Sequence, residues 1–498
     1  MDEFNHIQKE RRVRVLHPII GLISGLAMAW LLAGCAAVGP DYVPPDAKAP
    51  AKWNAPLEEG LAARGMDAQV LASWWTTLDD PLLASLEERA ALGNLDLREA
   101  TARVREARAR RGVARADLFP SVDATGSARR SRTSGAERDL YSAGFDSSWE
   151  LDLFGGVRRS VEAAEADLGA SEEDLRDVLV TLLSEVALNY VDVRSFQARL
   201  SIAQANLKAQ EETYDITRWR FEAGLTSQLD VEQARANMEN TRSQIPVLRT
   251  GLAQAMNRIS ILLGENPGSL DAELSGPGPV PAAPLEVAVG VPAEALRQRP
   301  DVWRAERQLA AQTARVGVAT AELYPRFTLS GSIGLEALSF GGLFSTRNRT
   351  YGIGSGFTWN VFHAGAVRQN IEVQDALQEQ ALVRYESAVL SALEEVENAL
   401  AAYAGEQVRR QSLVESSEAA RRAADLAGEQ YSAGLIDFQV VLDAQRSLLN
   451  SQDQLATSEA EIASDLIRLY KALGGGWTPL PEASGAPQAQ LESEKDGR

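Results

Sequence analysis

The chain has 498 residues and a formal net charge of −19 at neutral pH. This acidity argues against nucleic-acid binding, because phosphate backbones are bound by basic surfaces. A single cysteine excludes a disulfide framework and a thiolate metal cluster. After the first 35 residues the sequence has one histidine, His363, and no Walker loop or HExxH pattern. We therefore predict that the protein is not an enzyme and uses no cofactor or metal.

The N-terminus has the pattern of a lipoprotein signal. Arg11, Arg12 and Arg14 precede an apolar stretch of 16 residues, shorter than the roughly 20 residues of a membrane-spanning helix. The stretch ends in Leu-Ala-Gly immediately before Cys35. We predict that residues 1–34 are a cleaved signal peptide and that Cys35 carries lipid. The alternative is an uncleaved anchor helix ending in an ordinary buried cysteine.

The rest of the chain contains two similar halves. Phe221-Glu-Ala-Gly-Leu225 returns as Tyr431-Ser-Ala-Gly-Leu435, 210 positions later. Such repeats indicate one structural unit that is used twice. The predicted divisions are a lipidated extended segment (35–86), a first repeat (87–264), a Pro/Gly-rich linker (265–293), a second repeat (294–474) and a flexible tail (475–498).

Helical sequence dominates each repeat. A helix of about 30 residues is predicted at 88–117 and again at 294–323. From Gly156 to Phe221 no proline occurs, and apolar residues recur at steps of three and four, as in a coiled-coil seam. The second half repeats this seam. A helix of that length would extend roughly 100 Å at 1.5 Å per residue.

Glycines mark the ends of these helices. Gly224 and Gly434 predict left-handed caps followed by tight turns, which we call the first and second tips. After each tip comes a shorter helix, ending at Gly264 and Gly474. The two shorter helices of a repeat, placed end to end, match the length of the long one. We therefore predict that they lie beside it.

Two segments alternate with period two and predict β-hairpins, one in each repeat, over 118–154 and 327–362. The first hairpin has a polar loop at 133–139, and the second has a loop at 341–350. Strands of 12–15 residues exceed the five or six usual in globular proteins and can cross a bilayer at a tilt. Two hairpins packed on a soluble core are the alternative.

Four strands cannot close a barrel around a pore, and open sheet edges are not tolerated in hydrocarbon. Two protomers would supply eight strands and a filled interior, whereas three would supply twelve and an open one. The predicted fold is therefore mainly α with a membrane β-barrel. It combines internally duplicated long helical hairpins with four strands per protomer in a 12-stranded trimeric barrel.

The ordered motifs resemble those of the outer membrane factor family, the TolC- and OprM-like efflux channels, in its NodT-type lipoprotein branch. The resemblance covers Cys35 to about Leu473. The motifs are Gly39-Pro-Asp-Tyr42, Trp74-Trp75, Asp80-Pro-Leu82, Ala91-Leu-x-Asn94-x-Asp-Leu97, Ala114-x-x-x-Leu-Phe-Pro120, Trp149-x-Leu-Asp152-x-Phe-Gly155, Arg299-Pro-Asp301, Gly317-Val-Ala-x-Ala-x-Leu-Tyr-Pro325 and Phe438 to Gln445.

The resemblance implies a homotrimer with a barrel in the outer membrane of a Gram-negative bacterium and a helical tunnel in the periplasm. It implies export of small, drug-like molecules together with a periplasmic adaptor and an inner-membrane transporter of the RND type. Contact with outer-membrane lipid is expected through Cys35. The open alternatives are a channel for type I protein or polysaccharide secretion, and a coiled-coil lipoprotein without a pore.

Site residues carried over from the family lie at the two tips. Adaptor contact is implied for both tips, and the tip residues are Phe221, Gly224, Leu225, Tyr431, Gly434 and Leu435. The periplasmic gate candidates are Tyr431, Asp437 and Asp443. The chain departs from TolC at Ile436, where an arginine would help to lock the gate. Carboxylates from three chains that meet on an axis would repel one another and attract cations.

Overall fold

The computed structural model describes residues 37–65, 67–133, 135–284 and 286–477. Cys35 and the tail from residue 478 lie outside the described residues. The helices are α1 (Ala68–Ala72), α2 (Pro81–Gly93), α3 (Leu95–Ala116), α4 (Gly156–Glu222), α5 (Gln228–Leu262), α6 (Asp271–Leu274), α7 (Pro292–Gln298), α8 (Pro300–Ala321), α9 (Ala366–Ser432) and α10 (Phe438–Ala472). The strands are β1 (Leu61–Ala62), β2 (Ser121–Thr133), β3 (Ala136–Leu151), β4 (Val287–Ala288), β5 (Arg326–Ala337) and β6 (Arg349–Thr358).

The predicted long helix is confirmed. Helix α4 has 67 residues and ends one residue beyond the predicted Phe221. Helix α9 also has 67 residues, and α5 and α10 have 35 each. Gly224 and Gly434 have φ values of 73° and 76°, the left-handed geometry expected of a glycine that follows a helix. None of the helices in the described ranges combines the length and apolar composition needed to span a membrane.

The continuous helices predicted at 88–117 and 294–323 are wrong, because each is divided in two. Asn94 has extended backbone between α2 and α3. Its side chain accepts from Leu97 N and donates to Leu262 O, both at 2.9 Å, so the break is held by a distant carbonyl. Arg299 separates α7 from α8, as expected of a residue that precedes proline.

The segments predicted to be extended or loosely structured are more ordered than expected. Residues 35–86 include α1, a 3-10 helix at Trp74–Leu78 and the start of α2. The linker 265–293 contains α6, and its β4 pairs in parallel with β1. At the predicted start of the tail, Gly476 N donates to Leu71 O at 3.0 Å, and Trp477 Nε1 donates to Gln298 O at 3.1 Å. The packed chain therefore continues to Trp477.

One compact unit comprises residues 37–46, 103–172 and 304–385. It contains an antiparallel sheet in the order β2-β3-β5-β6, which leaves β2 and β6 at the edges. The predicted loop 133–139 is wrong, because β3 already begins at Ala136. An ion pair between Arg130 and Asp139 at 2.6 Å joins the two strands in this region, and opposite charges across a ladder stabilise the pairing.

The second compact unit comprises residues 47–102, 173–303 and 386–477. Its largest apolar cluster, which we call the main core, takes side chains from α2, α4, α5, α9 and α10. Trp74 is fully buried and stacks on Tyr470 at 5.6 Å between ring centroids. Val186 of α4 and Leu400 of α9 are also fully buried there. Both tips belong to this unit.

Candidate functional site

The first tip is a tight turn with a strong cap. Gly224 N donates to Phe221 O and Leu225 N donates to Arg220 O, both at 2.8 Å, which closes the end of α4. Ser227 and Asp230 then form a capping box at the start of α5. Burial opposes ionisation of Asp230, but hydrogen bonds from Thr226 and Ser227 outweigh it, and its pKa is lowered.

Apolar side chains are exposed around the first tip. Leu225 and Leu229 are 68% and 65% exposed, and Trp219 and Phe221 are also exposed. Exposed apolar side chains that occur together on a surface are typical of interaction sites. The first tip therefore presents three of the predicted adaptor-contact residues (Phe221, Gly224 and Leu225) to solvent.

The second tip has the same backbone turn but different side-chain packing. Leu435 N donates to Gln430 O at 2.9 Å and Leu435 is 74% exposed. Tyr431, by contrast, is only 5% exposed and packs on Phe438 with 5.2 Å between ring centroids. Tyr431 belongs to a small apolar cluster that we call the tip cluster. Its buried members are Ala234, Ala427, Tyr431, Phe438, Val441 and Leu442.

Arg220 joins the two tips, and sequence reasoning missed it. Its guanidinium lies 4.7 Å from the centre of the Tyr431 ring, within the range of a cation–π contact. Its Nη1 donates to Tyr431 O at 2.9 Å and to Ser432 O at 3.4 Å. These carbonyls end α9, where a positive charge is favoured. The only signal in the sequence was that an arginine directly precedes the tip residue Phe221.

The two predicted gate aspartates are exposed in the protomer. Asp437 is the N-cap residue of α10, but its side chain makes no capping hydrogen bond. Asp443 accepts a hydrogen bond from Gln439 Nε2 at 3.0 Å, one turn away on the same helix. Among the described contacts, neither carboxylate reaches Tyr431. The structure therefore places Tyr431 inside the protomer and both carboxylates on its surface.

The β-sheet has one apolar face and one polar face. Phe145, Ile333 and Tyr351 share one row of the register, and they are 57%, 65% and 88% exposed. The adjacent row, on the opposite face, holds Asp146 and Ser332. An exposed apolar face beside a polar one is the pattern of a membrane barrel, with lipid on one side and a polar lumen on the other.

The segment that follows Cys35 is held against the unit that contains the sheet. Val38 N donates to Phe154 O at 3.0 Å. The buried guanidinium of Arg159 donates to Val38 O at 3.2 Å and to Asp41 Oδ1 at 2.6 Å. Gly39 has a φ of 89°, and a Cβ there would lie 2.4 Å from the Cα of Gly317. Only glycine fits this crossing without displacing the chain.

The described residues contain no group of three or more His, Cys, Asp or Glu side chains able to hold a metal. The family model for outer membrane efflux protein matches residues 86–265 and 291–475. This chain belongs to the outer membrane efflux protein family. The resemblance found in the motifs is thus confirmed, and the family's transport role agrees with the expectation that the chain is not an enzyme.

Curated relatives and a solved structure agree with this assignment. Nodulation protein T of Rhizobium leguminosarum bv. trifolii is 34% identical over 91% of this chain and 97% of its own length. The probable efflux pump outer membrane protein TtgC of Pseudomonas putida is 32% identical over 92% of this chain and 96% of its own. The outer-membrane channel OprN matches with a TM-score of 0.85 and 40% identity, over 89% of this chain and 100% of that one. This outer membrane efflux protein is therefore a mainly helical efflux channel component with a small sheet.

Proposed function

We propose that three copies of this protein form the outer-membrane channel of a tripartite efflux system. The observation that carries this proposal is the four-stranded sheet, which has open edges at β2 and β6 and an exposed apolar face. Backbone groups at such edges need partners in a membrane. Head-to-tail pairing of β6 with β2 of the next copy would close a ring of twelve strands around the polar faces.

The long helices of the three copies form the periplasmic tunnel in this proposal, and the two halves of the chain derive from a duplication. The equal lengths of α4 and α9 and of α5 and α10 support the duplication. Cys35 carries lipid and anchors the chain in the outer membrane. The exported molecules are small and drug-like, and an inner-membrane transporter of the RND type supplies them.

The periplasmic adaptor docks on the tips, mainly on the first. The exposed Phe221 and Leu225 support this assignment, as does the exposed Leu435 at the second tip. Tyr431 is largely buried and contributes less contact area there.

The resting channel is closed at its periplasmic end by residues of the second tip. Asp437 and Asp443 of three copies meet near the axis and form a ring of negative charge. Both side chains are solvent-exposed within one protomer, so they are available to such a ring. Tyr431 supports the closed form through its packing on Phe438 and Arg220.

Two measurements on one preparation test the proposal. The detergent-extracted mature protein is analysed by light scattering with correction for bound detergent, and a trimer mass is expected. The same trimer, inserted in planar bilayers, is expected to conduct ions. A stable monomer would refute the channel and favour a tethered coiled-coil lipoprotein, as would a trimer that conducts neither as the wild type nor with Asp443→Ala.

The substrate class is tested separately in cells. A strain that lacks the gene should accumulate a small hydrophobic dye, and the wild-type chain should restore its export. A variant with Cys35→Ser tests the anchor in the same strain. Normal dye export in the deletion strain, combined with loss of a secreted protein, would instead assign the chain to secretion.

A further inference from the structure

The buried seam of α4 changes from apolar to polar on the way to the tips. In the middle of the helix, Val193 and Ala203 are buried, and Ala203 packs with Ile245 and Leu248 of α5. The next buried positions towards the tip are Asn206, Gln210 and Thr217, exposed by 8%, 3% and 0%. The helical spacing is kept, so the same side of the helix is buried throughout.

The two neighbouring helices carry polar residues at the same level. In α5, Asn237 and Thr241 are 4% and 2% exposed. In α10, Gln445 donates to Thr213 at 2.8 Å, and Gln452 accepts from Asn206 at 2.8 Å. We call this set the polar layer. Its members are Asn206, Gln210, Thr213, Thr217, Asn237, Thr241, Gln445 and Gln452.

The polar layer separates two apolar clusters. The tip cluster lies on its tip side, with Ala234 of α5 and Leu442 of α10. On the other side lie Ala203, Ile245 and Leu248. The buried residues of α5 run in the order Ala234, Asn237, Met238, Thr241 and Ile245, so Met238 is the one apolar side chain between the two polar ones. The tip cluster shares no member with the cluster of Ala203, Ile245 and Leu248 or with the main core.

Several polar atoms in and beside this layer have no hydrogen-bond partner among the residues that the structure describes. Both Oε1 and Nε2 of Gln210 are buried without a hydrogen bond. The same holds for Asn237 Nδ2, for Tyr431 Oη and for Arg220 Nε. Asn237 uses only its Oδ1, which accepts from Arg446 Nε at 3.0 Å. Buried polar atoms without partners cost free energy, and each one in a native structure calls for an explanation.

We propose that the polar layer is the hinge on which the tip cluster moves when the channel opens. This inference rests on the proposed function. It adds the place in the fold where the movement occurs and the physical reason that movement can occur there. The described arrangement is then the resting form. In the open form, Gln210, Asn237 and Tyr431 gain hydrogen-bond partners that they lack at rest.

A helix can shift against its neighbours only if the contacts between them are broken and made again. Interdigitated apolar side chains resist sliding, because any shift opens voids. A polar layer resists less, since amide and hydroxyl groups can exchange one partner for another at little net cost. The atoms left without partners raise the free energy of the resting form. Two packings of the tip can therefore be close enough in free energy to serve as a switch.

Two variants test the hinge in bilayers with the full-length trimer. Gln210→Leu replaces an unpartnered amide by an apolar side chain of similar size. We expect a higher thermal unfolding midpoint and an open probability lower by about tenfold, because the substitution removes the free-energy cost of an unpartnered amide that only the resting form bears. Tyr431→Phe removes only the unpartnered hydroxyl and should also lower the open probability. If the Tyr431 hydroxyl instead made a hydrogen bond in the closed form, Tyr431→Phe would raise the open probability.

Ser458→Ala is the matched control. Ser458 is fully buried in α10 and its Oγ also lacks a partner, but it lies between Ala456 and Ala460 and outside the polar layer. The control should leave the open probability unchanged. If Gln210→Leu conducts like the wild type, or unfolds at a lower temperature, the hinge is overturned while the channel stands. If the trimer conducts neither as the wild type nor with Asp443→Ala, the proposed function itself fails.

Discussion

Glu87 is buried on the face of α2 that contributes to the main core, and no described residue pairs with its charge. This arrangement predicts an unusual pH dependence of stability. The Glu87 side chain is 0% exposed, on the same face of α2 as the buried Leu83, Leu86 and Ala90. Within the described part of the chain, neither carboxylate oxygen has a hydrogen-bond partner. Burial therefore raises the pKa of Glu87 well above its ordinary value of 4.5, because a buried carboxylate loses its hydration.

Protonation of Glu87 is linked to folding, and this linkage sets the direction in which stability changes with pH. Below pH 4.5 the Glu87 carboxyl is protonated in both the folded and unfolded chains, and its contribution to stability is at its maximum. Between this pH and the raised pKa, only the unfolded chain releases the proton. The contribution of Glu87 to the free energy of unfolding then falls by about 1.4 kcal/mol for each pH unit. Glu87→Gln stays neutral at every pH and removes this slope.

The assay is urea unfolding of the purified protein at pH 5, 6, 7 and 8, followed by the loss of helical circular dichroism. The advantage of Glu87→Gln over the wild type should grow by about 1.4 kcal/mol per pH unit until the raised pKa is reached. Glu88→Gln is the matched control, because Glu88 is the next residue and is exposed. Equal pH slopes for Glu87→Gln and the wild type would show that the Glu87 carboxylate is not destabilised in the folded chain.

Three further predictions concern the N-terminal segment and the tips. Gly39→Ala places a Cβ 2.4 Å from the Cα of Gly317, and the left-handed backbone adds a cost of about 1–2 kcal/mol. We therefore expect faster proteolysis of the segment after Cys35. Gly112→Ala is the control and should leave the proteolysis rate unchanged, because a Cβ there meets no other atom within 4 Å. Arg220→Gln removes the contacts to Tyr431 and should loosen the second tip by about 1–2 kcal/mol, measured as faster hydrogen exchange there; unchanged exchange would contradict it. Asp443→Ala should increase conductance and the uptake of large antibiotics, and an assembled variant with normal permeability would exclude a gate role.

The repeating order of elements, the long helix and the turns could be predicted from the amino-acid sequence alone. Helical period, the absence of proline and a glycine after the last turn are properties of consecutive residues, so Gly156 to Phe221 and the cap at Gly224 could be read directly. Ordered motifs along most of the chain were enough to assign the family, which the comparisons confirm.

Contacts between residues far apart in the sequence could be known only from the tertiary structure. The helix break at Asn94 is stabilised by the carbonyl of Leu262, 168 positions away, and no local pattern contains that partner. Arg220 meets Tyr431 across 211 positions for the same reason. Nothing in the local sequence distinguishes Glu87 or Gln210 from the exposed polar residues of the same helices. Their burial depends on which helices pack against them, and this depends on contacts between residues distant in sequence.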